Sequence, residues 1–209
     1  MGKKISIFEK VADAKGDNPP YQKGTRCIER IDRIKFGYNR QELPFVAFEK
    51  TVILVTSDAR GTPYGDPGYQ GDLEGDCVSQ VFSMKGDQKT YTMSELRRFL
   101  KNVVDVSEED LNDPKEVNRI VLQICGVDDE GEDTGEQPLQ NVFIERKDYV
   151  KAGKAQDGKA PKDFINTRYI RCVPASEVME LLDEDQIARL FPAGLLEKLV
   201  EAEEAVEEE

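Results

Sequence analysis

The chain has 209 residues, with 42 Asp and Glu against 29 Lys and Arg, so its formal net charge is −13. It contains no histidine, which excludes HExxH zinc sites, Ser-His-Asp triads and Cys-His dyads. No apolar run nears 18 residues, so no transmembrane helix is expected, and at face value the acidity argues against nucleic acid.

Residues 1–24 include Asn18-Pro19-Pro20 and read as a polar arm, too weakly apolar for a signal peptide. Thr25 to Phe36 fits a helical stripe through Cys27, Ile31 and Ile34, or one face of a bent strand. The strand is taken, closed by a turn at Phe36-Gly37-Tyr38-Asn39. Residues 45–55 (FVAFEKTVILV) are rich in β-branched and aromatic side chains and form the second strand. Five glycines and two prolines between residues 56 and 76 predict a long flexible loop. Alternation over 77–84 gives a third strand. Thr92 and Glu95 form a capping box for a helix to about Val104. Asp113-Pro114 starts another over 114–125. Strands follow at 142–150 and 164–173, separated by a lysine-rich loop over 151–163. Helical spacing resumes from Ser176, and a last helix starts at Pro192. The chain then reads EAEEAVEEE, a glutamate run expected to be disordered.

Three strands, helices, two strands and a helical tail contain no βαβ alternation, so a parallel sheet is not expected. The fold class read from this order is mainly β with α. It is a five-stranded oligonucleotide/oligosaccharide-binding (OB) type barrel, with helices between strands three and four and a helical, acidic C-terminal appendage. The expected divisions are an arm (1–24), the OB domain (25–174), C-terminal helices (175–200) and an acidic tail (201–209).

Mapping the charge reverses the first impression. Residues 105–136 hold 12 acids against Lys115 and Arg119, and residues 173–209 hold 12 against Arg189 and Lys198. Everything else carries a net +7. An acidic appendage on a basic body points to a polyanion partner. The competing reading is an acidic protein-interaction module, such as a DNA mimic or virion component, that ignores DNA.

Cys27, Cys77, Cys125 and Cys172 have no CxxC spacing and sit in apolar stretches, so they read as reduced structural thiols in a cytoplasm. The carboxylates at 66, 72, 74 and 76 and at 128–133 lack the EF-hand order, and GxxxxGK[ST] is absent. No nucleophile–base pair stands out. The expectation is therefore a non-enzyme with no cofactor, no metal and no membrane attachment, with self-association left open.

The candidate DNA-binding residues follow from the barrel mapping, whose binding face is strands two and three with the 1–2 and 4–5 loops. The first strand supplies Arg26, Arg30, Arg33 and Lys35, and the 1–2 loop Phe36, Tyr38 and Arg40. The second strand supplies Phe48 and Lys50. After the third come Lys85, Lys89 and Tyr91. The 4–5 region supplies Lys147, Tyr149, Lys151, Lys154, Tyr169 and Arg171. Alternation is expected to put Lys147 with Tyr149 on one strand face and Tyr169 with Arg171 on another. Stacking on aromatics plus a positive groove is what sequence-tolerant single-strand binding needs. The competing reading for Phe45, Phe48, Phe82 and Phe143 is core, the commoner place for phenylalanine.

Several runs carry a family resemblance: Ile31-Asp32-Arg33-Ile34-Lys35, Phe45-Val46-Ala47-Phe48-Glu49, the Pro67-Gly68 loop, Val78-Ser79-Gln80-Val81-Phe82 and Ser94-Glu95-Leu96-Arg97-Arg98-Phe99-Leu100. Over residues 23–173 the chain resembles the phage and prophage single-stranded-DNA-binding proteins with an OB domain. The resemblance implies sequence-independent binding of single-stranded DNA in replication or recombination, in the host cytoplasm. It also implies an acidic tail that competes with DNA and recruits replication and recombination proteins, here through Glu201, Glu203, Glu204, Glu207, Glu208 and Glu209. The tail departs from that pattern by ending Val206-Glu207-Glu208-Glu209, without a terminal aromatic or Pro-Phe.

Overall fold

The computed structural model describes residues 20–40, 42–83, 89–128, 132–152 and 164–207. In chain order the strands and helices are β1 (Thr25–Tyr38), β2 (Pro44–Asp58), β3 (Cys77–Ser83), α1 (Lys89–Asn102), α2 (Glu108–Asn112), α3 (Pro114–Ile124), β4 (Phe143–Lys151), β5 (Phe164–Val173), α4 (Ala175–Leu181), α5 (Glu184–Leu190) and α6 (Leu195–Glu207). The strands form one antiparallel sheet in the order β3-β2-β1-β4-β5. Among the described residues the sheet is open, with β3 and β5 at its edges, and the fold is mixed α/β. The ambiguous run 25–36 is a strand. Its pairing with β4, Arg26 opposite Lys147 through Arg30 opposite Phe143, satisfies its backbone across more than a hundred residues of sequence, which local periodicity cannot register.

The chain divides into two compact units, and β1 and β2 are long enough to contribute to both. The first contains Ile31–Lys50 and Cys77–Asn141. Its core includes Phe48, whose ring lies 5.0 Å from Phe82 edge-on and 4.5 Å from Phe99. Helix α1 begins at Lys89, so Thr92 lies inside the helix and not at the expected cap. The side chain of Asp113 accepts from Lys115 N at 2.8 Å, and Pro114 opens α3 as expected. Sequence reading missed α2, which Ser107 caps by accepting from Asp110 N at 3.1 Å. Its first-turn acids Glu108, Glu109 and Asp110 sit where the helix dipole favours negative charge.

The second unit contains Gln22–Arg30, Thr51–Asp76 and the chain from Val142 onward. Ile28, Ile53, Phe143 and Val173 of the sheet share one apolar core with Val178, Leu182, Leu190, Phe191 and Leu196 of the C-terminal helical region. The glycine-rich loop expected to be flexible is clamped by two buried aspartates. Asp58 accepts from the backbone N–H of Arg60, Thr62 and Gln70 at 2.8–3.3 Å. Burial opposes this charge, but those donors hold the Asp58 carboxyl below its ordinary range. Asp72 anchors the other end of the loop to Lys23 and Thr25. Composition shows the glycines but not these partners.

The glutamate run is not disordered through residue 207: α6 continues to Glu207. Pro174 offers α4 no side-chain cap. The Glu203 carboxylate takes that place, accepting from Ala175 N at 2.6 Å and Ser176 N at 3.3 Å. Glu203→Ala should therefore cost about 1 kcal/mol in urea unfolding, as loss of a cap does. A variant as stable as the parent would remove the capping role. Residues 208 and 209 lie outside the described residues. No described helix is long and apolar enough to cross a membrane.

Candidate nucleic-acid interface

Strand β4 alternates sharply. Ile144, Arg146 and Asp148 are buried, whereas Glu145, Lys147, Tyr149 and Lys151 face outward. The inward side is highly charged. Arg146 is fully buried, with one guanidinium nitrogen 2.8 Å from Asp72, another 3.3 Å from Glu29, and Nε 3.7 Å from Asp148. Asp72 also accepts from Lys23 N and from the Thr25 hydroxyl, and Asp148 accepts from Thr25 N at 2.9 Å. Three carboxylates thus converge on one guanidinium. Burial raises the Asp148 carboxyl above its ordinary value, against the pull of Arg146. Burial likewise pushes the Tyr69 phenol, which donates to the Asp72 carbonyl, up to about 12. This network fixes which way β4 faces.

The outward side carries the candidate interface. The order β1-β4-β5 puts Arg26 and Arg168 on the two flanks of Tyr149. Their guanidinium carbons lie 5.0 Å and 5.3 Å from the ring centroid, within cation–π range. In register, Lys147 faces Arg168, Tyr149 faces Asn166, and Lys151 faces Phe164. Of the expected residues, the structure therefore brings Arg26, Lys147, Tyr149 and Lys151 together. Lys147 also pairs with Glu145 at 2.6 Å.

Sequence reading missed Arg168 and Phe164, because it assigned Tyr169 and Arg171 to one outward face of β5. Tyr169 is buried opposite Arg146. A register shift between Glu145 and Arg146 adds one residue to β5, and one extra residue reverses the faces beyond it. Arg171 is exposed but engaged, with Glu145 at 3.1 Å and two bonds to Glu177 at 2.7 and 2.5 Å. These bonds hold the Glu177 carboxyl below its ordinary range.

Phe48 and Lys50 point inward from β2 and are fully buried, so they present no surface to a ligand. Phe48 is core because its ring packs on Phe82 and Phe99. Lys50 shares that face two residues further along. Arg30 lies with its guanidinium 5.5 Å from the Phe191 ring and packs on the C-terminal helical region. Lys35 pairs with Glu49. In the first unit, half-buried Phe36 meets Tyr38 edge-on at 5.4 Å, with Tyr38, Arg33 and Arg40 exposed. Phe36 and Phe45 also line an apolar groove of about 630 Å³ with Leu96, Leu100, Leu111 and Val117. Lys85 and Lys154 lie outside the described residues. Lys89 and Tyr91 fall in the first turn of α1.

Each carboxylate of the 66–76 loop has a partner. Asp66 accepts from Gly68 N, Asp76 from Leu73 N, and Glu74 from Gln186 and Arg189. Among the described residues no group of acids and thiols is placed to hold a metal ion. No disulfide joins any of the four cysteines. Cys27 and Cys125 are buried, and burial pushes the Cys125 thiol up to about 12. Cys77, expected in the interior, is exposed at the start of β3. Of the tail glutamates, Glu203 is committed to capping α4, Glu201 and Glu204 are exposed on α6, and Glu207 ends that helix. No protein-family model matches the chain, and no curated protein matches it in sequence.

Proposed function

We propose that the protein binds single-stranded DNA without sequence preference and serves phage-type replication or recombination. The observation that carries this reading is Tyr149 flanked by Arg26 and Arg168, with Lys147 and Lys151 on the same outward face. Guanidinium planes and aromatic rings stack bases, and the positive charges meet phosphates. The strand order supports an OB-type reading, since β3-β2-β1-β4-β5 is the neighbour order of such a barrel opened between β3 and β5. Among the described residues, three helices lie between the third and fourth strands. Tyr149 and Lys151 then flank the 4–5 loop, one of the loops used for binding in that fold. Exposed Glu201 and Glu204 are the candidates for partner contact and for competition with DNA.

A fluorescence titration with oligo-dT at several salt concentrations tests the reading. Binding should weaken as salt rises, with each neutralised phosphate adding about −0.7 to the log–log slope. No binding at low salt, or a flat slope, would sink it and favour an acidic interaction module.

A further inference from the structure

Resting on that reading, we infer that Phe164 is a second base-stacking station of the same site, which makes the site selective for single strands over duplex. Phe164 is 57 % exposed, unusual for a phenylalanine, and its neighbour Ile165 is 46 % exposed. Neither belongs to the apolar core of the second unit. In register Phe164 sits opposite Lys151, and Asn166 and Arg168 sit opposite Tyr149 and Lys147. Residues 164, 166 and 168 therefore lie on the face of β5 that continues the outward face of β4. The track runs from Arg26 across Tyr149 and Arg168 to Lys151 and Phe164. It holds two aromatic stations, Tyr149 and Phe164, and three cationic groups, Arg26, Arg168 and Lys151.

The spacing of the stations limits what they can hold. Tyr149 and Phe164 are one strand apart and two residues apart in register, a separation of about 8 Å from strand rise and strand spacing. Successive bases of a duplex are about 3.4 Å apart along each strand. Neighbouring bases can occupy both stations only when they are unstacked from each other. A single strand reaches that geometry readily. A duplex must first give up the stacking between those bases. Lys151, beside Phe164, is placed to meet the phosphate between the two stations.

The test is an anisotropy titration of labelled oligo-dT with the full chain, Phe164→Ala, Phe164→Tyr and Lys151→Ala, with duplex DNA of the same length as competitor. Phe164→Ala should weaken binding by about 5- to 20-fold, the lower part of the range for one stacked base, with the salt slope unchanged. Phe164→Tyr should restore it. Lys151→Ala should instead reduce the slope by about 0.7. Duplex should compete poorly at every salt concentration. If the parent binds oligo-dT but Phe164→Ala stays within twofold of it, or duplex competes as well as oligo-dT, this inference is wrong while the proposed function stands. If the parent does not bind oligo-dT, the proposed function itself fails. The side chain is exposed, so loss of the ring should leave urea unfolding unchanged. An Ala variant that unfolds earlier and is not restored by Tyr would make Phe164 structural and overturn the assignment.

Discussion

Arg146→Ala will destabilise the protein by about 3–5 kcal/mol, the cost of removing one partner from a buried ionic group. The substitution leaves Glu29, Asp72 and Asp148 facing one another without their shared cation. Arg146→Lys will not rescue it. A single ammonium lacks the planar fork that meets carboxylates from several directions. The loss should also depend on pH. Asp148 already has a folded-state pKa above its ordinary value, chiefly through burial, and Arg146 acts to lower it. Without Arg146 that pKa rises further. A carboxyl with a raised folded pKa supports folding fully below its unfolded pKa and loses that support as pH climbs through the folded value. The variant should therefore come closer to the parent near pH 4 than at pH 7. Urea unfolding at both values measures this. A deficit under 1 kcal/mol at pH 7, or one that grows on acidification, would contradict the network as described.

Tyr149→Ala should weaken oligo-dT binding by up to about 3 kcal/mol, near the upper limit for one stacking residue. The ring is the surface on which both guanidinium groups rest, at 5.0 and 5.3 Å. Its loss removes a platform and releases two long side chains that must then be ordered on binding. Tyr149→Phe keeps the ring and should bind nearly as well as the parent. Arg26→Ala and Arg168→Ala should each flatten the salt slope, which Tyr149→Ala should not. Parallel urea curves separate binding from folding, because the buried ionic network of β4 lies on its inward face while Tyr149 faces outward. If Tyr149→Ala binds like the parent, the observation on which the functional proposal rests is lost.

The strands themselves were legible in the sequence. β-branched runs in β2 and alternation in β3 each carry a local signal, β5 spans 164–173 as expected, and only β1 was open between helix and strand. The candidate site was legible in part. Lys147 and Tyr149 alternate with Arg146 and Asp148, so a strand placed there had to expose one pair. Which pair faced out was not determined locally. Asp72 and Glu29 come from distant segments and draw Arg146 inward, against the usual tendency of arginine to stay in water. Arg168 and Phe164 escaped for a different reason. A single-residue register shift reverses the faces of β5, and a bulge leaves no trace in the hydrophobic pattern of the strand that contains it.

By itself the sequence determined the positions of most strands and helices, the absence of histidine chemistry and the division of charge into a basic body and two acidic segments. Those properties depend on composition and near neighbours. The tertiary structure alone decided which charges reach solvent. Lys50 and Arg146 became interior, Arg171 and Lys35 became ion-paired, and Glu203 became a helix cap. Arg26 and Arg168 were left around one tyrosine. The physical reason is that a charge is assigned to core, ion pair or surface by partners far away in sequence. In this chain the sheet register supplies many of them.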